Sequence, residues 1–134
     1  MTPPAGERVV DRTFELDEAR SLVPHLRAVA GELIPLRAEL AEGAARMRAG
    51  GAADLPELKS LEARLSELLD DLTSGGIQVK GYAPLLVDLP HVRGDRRLLL
   101  CWLEGETELG WYHDEAHGFM GRRPITELQE RTGD

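Results

Sequence analysis

Leu22, Leu26, Val29, Leu33, Leu36 and Leu40 recur at alternating steps of four and three. At ~100° per residue that spacing draws one apolar stripe, with Arg20, Arg27, Glu32, Arg37 and Glu39 elsewhere, so residues 16–47 read as an amphipathic helix. Pro24 and Pro35 fall inside it. Each lacks a backbone donor and crowds the carbonyl one turn back. Two arrangements follow: one helix bent at both prolines, which share nearly one face, or a helix that begins at Pro24, with residues 17–23 as a separate turn.

A second stripe, Leu58, Leu61, Leu65, Leu68 and Leu72, steps the same way. Asp54-Leu55-Pro56-Glu57 is its start signal: Asp54 accepts from free amides and proline is tolerated in a first turn. Gly75-Gly76 ends it. Two such helices joined across residues 49–53 make an antiparallel helical hairpin over residues 16–75. The hairpin cannot cover both stripes by itself, so it must dock on a sheet, a second copy or another protein.

Beyond residue 76 the period changes to two. Residues 77–80 and 85–89 read as short strands, the second closing at Pro90, and Arg93-Gly94-Asp95 reads as a turn. In residues 97–104, Leu98, Leu100 and Trp102 face one way and Leu99, Cys101 and Leu103 the other, which implies that both faces are covered. Gly105-Glu106-Thr107 is the expected hairpin loop and residues 108–113 the returning strand. Pairing Glu104 with Glu108 places Trp102 over Gly110, Cys101 beside Trp111 and Leu99 beside His113. Residues 114–121 are expected as loop, Gly121-Arg122-Arg123-Pro124 as a basic turn and 126–131 as a last helical turn. At the other end, residues 1–7 read as a disordered tail and 8–14 as a short strand. The fold class is therefore α+β: one domain, 1–134, with a long antiparallel helical hairpin packed with a small antiparallel β-sheet in a β-rich part, 77–125.

Composition narrows the function. At 134 residues one core is expected, and with aromatics at 4% the leucines must carry it. A formal net charge of −8 disfavours nucleic acid and anionic lipid as partners. The single cysteine excludes an internal disulfide and suggests a reducing compartment. No apolar run is long enough to span a bilayer and no signal peptide is visible, so the expected setting is the cytoplasm.

Three groups of residues invite chemistry. Asp88, Glu104 and His113 sit within or at the ends of apolar strands, where a histidine near carboxylates acts as a general base or binds a divalent ion. The plainer reading is that Asp88 caps a turn and Glu104 ends a strand in solvent. His113 and His117, four apart, would share a metal only on a helix, which Gly118 opposes; the run is not H-E-x-x-H. Arg122 and Arg123 on a glycine-flanked turn suit an anion, or else pair internally with Asp88, Asp114 or Glu104. Trp102 and Trp111 either wall a ligand site or anchor the core. Cys101, with no basic neighbour in sequence, reads as an inert filler. No phosphate-loop or dinucleotide pattern is present, and the residues leave any cofactor unknown.

LLVDLP (85–90), CWLEGE (101–106), the Trp-Tyr-His-Asp run 111–114, GFMGRRPI (118–125) and FELDEARSLVPHLR (14–27) resemble the signatures of bacterial domain-of-unknown-function family 2203. That resemblance implies a prokaryotic cytoplasmic protein and a shared fold, and no activity. Two positions depart from its pattern. Glu15 stands where a small hydroxylated helix cap is expected, so the cap must come from elsewhere, and His117 is particular to this chain.

The expected function is a non-catalytic interaction or ligand-binding module that self-associates, as a dimer, through its leucine-rich helices, with a protein partner or a small anionic ligand. The alternative is a small enzyme or a metal- or anion-dependent binder with its site near Asp88, Glu104, His113 and Arg122.

Overall fold

The computed structural model describes residues 11–52 and 54–128. The tail expected at 1–7 lies outside them. Helix α1 spans Leu16–Ser21, α2 Val23–Arg48 and α3 Leu55–Ser74. Strands β1 (Gln78–Tyr82), β2 (Leu85–Arg93), β3 (Arg96–Leu103), β4 (Trp111–Asp114) and β5 (Arg123–Pro124) form one antiparallel sheet in chain order. The class is α+β, as its two periodicities indicate.

The helices start and stop for local reasons. The break falls at Leu22, which keeps helical dihedrals, and Pro24 sits in the first turn of α2, so residues 16–48 make a long helix bent just ahead of Pro24 and not a separate turn over 17–23, while Pro35 lies inside α2. Contrary to the expectation of a cap from elsewhere, Glu15 is itself the N-cap of α1, in a capping box in which its side chain faces the Glu18 N–H and the Glu18 carboxylate accepts from the Glu15 N–H at 3.3 Å. Asp54 caps α3, accepting from the Glu57 N–H at 3.1 Å. Gly76, at φ 93°, turns the chain out of α3 in the left-handed conformation. Gly43 lies against Leu58: a Cβ there would come within 2.4 Å of the Leu58 Cδ2, so α2 and α3 cross closely at that point.

One apolar core fills the space between the hairpin and one face of the sheet. Leu26, Val29 and Leu33 of α2 and Leu68 and Leu72 of α3 meet Val87, Leu89, Leu98, Leu100 and Trp102. Farther along the hairpin, Leu40, Leu58 and Leu61 are only half-buried, because there each helix has only the other to pack on. Arg37 fastens α2 to the sheet. Its guanidinium donates twice to Glu104, at 2.6 and 2.9 Å, and Glu104 in turn accepts from the Leu85 N–H.

Three strand expectations need correction. Strand β2 runs through Pro90 to Arg93. Its pairing with β1 ends at Asp88, so Pro90 lies on an open edge where the missing N–H costs no ladder bond, and its carbonyl accepts from the Phe14 N–H at 2.7 Å. The described part of the expected strand at 8–14 is irregular; only Phe14 joins that edge. The returning strand begins at Trp111, not at residue 108, because Leu109 turns into the core and the Gly110 carbonyl takes the Ile125 N–H. Trp102 therefore does not cover Gly110; no atom lies within 4 Å of where a Cβ would stand there. The register itself is the expected one, with Cys101 opposite Trp111 and Leu99 opposite His113.

Candidate metal centre

The second face of the sheet carries different residues. Asp88 of β2 pairs with Cys101 of β3, and His113 of β4 pairs with Leu99, two residues back along β3. Side chains two apart on a strand share a face, so Asp88, Cys101 and His113 converge on the side away from the helices. All three are buried, and their donor atoms lie within 4.8 Å of one another. The β2–β3 register that aligns them is set by a two-residue turn, in which Gly94 adopts φ 66°.

The hydrogen bonds fix how these groups point. His113 Nδ1 lies 2.7 Å from the Asp114 carbonyl, which only accepts, so Nδ1 donates there; Nε2 faces Asp88 Oδ1 at 3.0 Å, a contact bridged by a second proton whose place a metal ion would take. An imidazole held by a backbone carbonyl through one nitrogen, with the other aimed inward, is the usual posture of a metal-ligating histidine. Burial, reinforced by the Asp88 charge and by a hydrogen bond to its carboxylate, pushes the Cys101 thiol up to about 12. Without an ion the thiol therefore stays protonated and is no nucleophile, as its lack of basic neighbours suggested. A bound cation reverses that preference, since a coordinating thiol gives up its proton.

A pocket of about 340 Å³ opens above the three side chains, walled by Leu86, Leu99 and Phe119 and edged by Lys80 and Glu115. Beside it, Arg122 pairs with Glu106 at 2.6 Å and lies against the rings of Trp111 and Phe119, 4.8 and 4.9 Å from their centroids. Glu106 also accepts from the Leu103 N–H at 2.8 Å and so ties this corner to the end of β3.

The structure thus brings Asp88 and His113 together and separates the other residues singled out in the sequence. Glu104 is engaged by Arg37, whose hydrogen bonds hold its carboxyl below the usual carboxylate range. Arg122 forms an internal pair, but with Glu106 in place of the three carboxylates expected. Arg123 turns to Glu127, at 2.9 Å. Trp102 is fully buried in the helix-side core, its indole N–H donating to the Glu106 carbonyl, while Trp111 stands on the opposite face and is partly exposed. His117 pairs with Asp114 in a turn, so it does not join His113. Residues 113–117 are not helical, the condition their spacing needed.

Sequence reasoning read Cys101 as an inert filler and passed over Glu106 and Lys80. Cys101 acquires its partners only through strand pairing, and Glu106 and Lys80 only through loop and bulge geometry. Also passed over, but on the opposite, helix side and outside the site, is His91, buried with Nδ1 on the Phe14 carbonyl and no partner for Nε2 among the described residues.

No helix among the described residues is long and apolar enough to cross a membrane. No curated protein and no solved structure matches the chain. A family model does match it, over residues 12–125, a span that holds both the hairpin and the Asp88, Cys101 and His113 cluster, and the chain belongs to that family, described as "Uncharacterized conserved protein (DUF2203)".

Proposed function

We propose that this protein binds a divalent transition metal of the zinc class through Asp88, Cys101 and His113 and presents it, with one coordination position open, to a small ligand. The observation that carries this reading is the convergence of one carboxylate, one thiol and one imidazole from three adjacent strands, all buried, within 4.8 Å. Tetrahedral zinc with bonds of ~2.0–2.3 Å sets its ligands about 3.3–3.8 Å apart, which small side-chain rotations reach from this arrangement. Three protein ligands beneath a pocket leave the fourth position for water or a ligand, the pattern of sites that bind or activate small molecules. A mixed sulfur, nitrogen and oxygen set favours zinc or cobalt over magnesium or calcium.

The test is metal uptake by the full chain, read by elemental analysis after dialysis against Zn²⁺ and gel filtration. One ion per chain is expected, falling to background in Cys101→Ser and His113→Ala while His117→Ala keeps it. Equal uptake by all four proteins, or none by the native chain, overturns the reading. Circular dichroism confirms that each variant is folded.

A second reading, self-association as a dimer through the hairpin, is favoured by a separate observation. Met47 and Leu55 are exposed along the part of the hairpin that stands clear of the sheet, where Leu58 and Leu61 are only half-buried, and Ile34 is exposed on the outer side of α2 beside the buried Leu33. Sedimentation of a strict monomer at high concentration would remove it. We place both readings in a bacterial cytoplasm, where a single cysteine stays reduced and free to ligate metal.

A further inference from the structure

We infer that the pocket over Asp88, Cys101 and His113 takes a small organic carboxylate, its charged end between the metal position and Lys80 and its apolar end against Leu86, Leu99 and Phe119. The inference rests on the metal reading and adds the class of ligand.

The first observation is a bulge. Val79 pairs with Val87 and Gly81 pairs with Leu86, so Lys80 is the extra residue of β1. A bulge re-aims a side chain and is common beside functional sites. Here Lys80 edges the pocket, and among the described residues it has neither ion pair nor hydrogen bond. The pocket's other charged edge, Glu115, is already engaged with Arg97 at 3.2 Å. Asp88 lies at the floor, bonded to His113 at 3.0 Å and opposite Cys101 in the strand pairing. Lys80 is thus the pocket's unengaged cation.

The second observation is charge. A divalent ion held by one carboxylate, one thiolate and one neutral imidazole is formally neutral. Adding Lys80 leaves a single positive charge facing the open coordination position. One negative charge balances it, which suits a carboxylate better than a phosphate dianion. The third is shape and polarity. About 340 Å³ lies at the small end of ligand pockets, and its walls are two leucines and a phenylalanine, so the remainder of the ligand is short and apolar.

The experiment uses the full chain loaded with Co²⁺, whose visible absorption reports a change of ligand at the metal. Benzoate, benzamide and inorganic phosphate are the probes, and Lys80→Met is the variant. The expected result is one Co²⁺ per chain in both proteins. Benzoate should shift the spectrum of the native chain, benzamide should not, phosphate should compete poorly, and Lys80→Met should weaken benzoate about tenfold. Co²⁺ uptake without a benzoate response, or with equal benzoate affinity in Lys80→Met, overturns this inference and leaves the metal reading standing. A stronger response to phosphate than to benzoate overturns the carboxylate assignment. Failure of the native chain to take up Co²⁺ overturns both.

Discussion

The two faces of the sheet are built from alternate residues of the same strands, yet they obey different rules. On the helix side, Leu89, Leu98, Leu100 and Trp102 lie at the centre of one aliphatic core with α2 and α3 pressed over them. On the other side, the neighbours Asp88, Cys101 and His113 are equally buried, but under a short pocketed loop. Burial of apolar area stabilises the first face by roughly 1.5–3 kcal/mol per large side chain. The second keeps a carboxylate and an imidazole out of water, which stabilises nothing unless they are paired or bound. Strands β2 and β3 thus show stability and chemistry divided by parity, one residue apart. A polar cluster on the far side is tolerable because the near side holds the sheet in place.

That contrast can be broken by substitution. Trp102→Ala should have the largest effect, lowering the unfolding free energy by ~3–5 kcal/mol in urea titrations; a loss under about 1 kcal/mol would mean that the helix side does not carry the fold. Next is Glu104→Gln, which leaves the mostly buried Arg37 without its anion and should cost about 1–3 kcal/mol near neutral pH. Because hydrogen bonding to Arg37 lowers the folded-state pKa of Glu104, its contribution is complete above the unfolded value, near 4.5, and fades as pH falls through the lower folded value. The gap between native and Glu104→Gln proteins should therefore close below pH 4.5, measured by thermal unfolding across pH; a gap that widens in acid would contradict the pairing.

Cys101→Ala sharpens the contrast from the other side. It should cost no more than roughly 1 kcal/mol while abolishing metal uptake, separating stability from binding at a residue adjacent to Trp102. A larger loss with metal uptake intact would make Cys101 a core residue like its neighbours. The smallest effect is expected for Trp111→Phe, within ~0.5 kcal/mol, since a ring remains against Arg122. Its fluorescence spectrum should leave only the buried Trp102 emission.

Much of this architecture is legible in the residues. The two leucine stripes, Asp54 as a cap and the alternation through 98–103 all act locally, and local rules read them correctly. The register of Cys101 against Trp111 follows from the same alternation. Pro90 misleads because a strand tolerates proline on an open edge, and which edge is open depends on where β1 stops. At the site, Asp88 and His113 stand out as polar residues in apolar runs. Their link to Cys101 depends on the β2–β3 alignment set by Gly94, and Glu104 is drawn away by Arg37, a helix residue 67 positions earlier. Partners so distant in the chain leave no local pattern.

Because the strands lie side by side in the order in which they are synthesised, the sheet needs few long closures to form. We expect it to zip outward from the tight turn at Gly94, a route of short closures that favours quick refolding. A longer tie than that of Arg37 to Glu104 is made by Phe14, whose carbonyl meets His91 Nδ1 77 residues away. Docking of that amino-terminal segment should come late in refolding, and a chain shortened past Phe14 should still zip its sheet while exchanging its amide protons faster along the Pro90 edge.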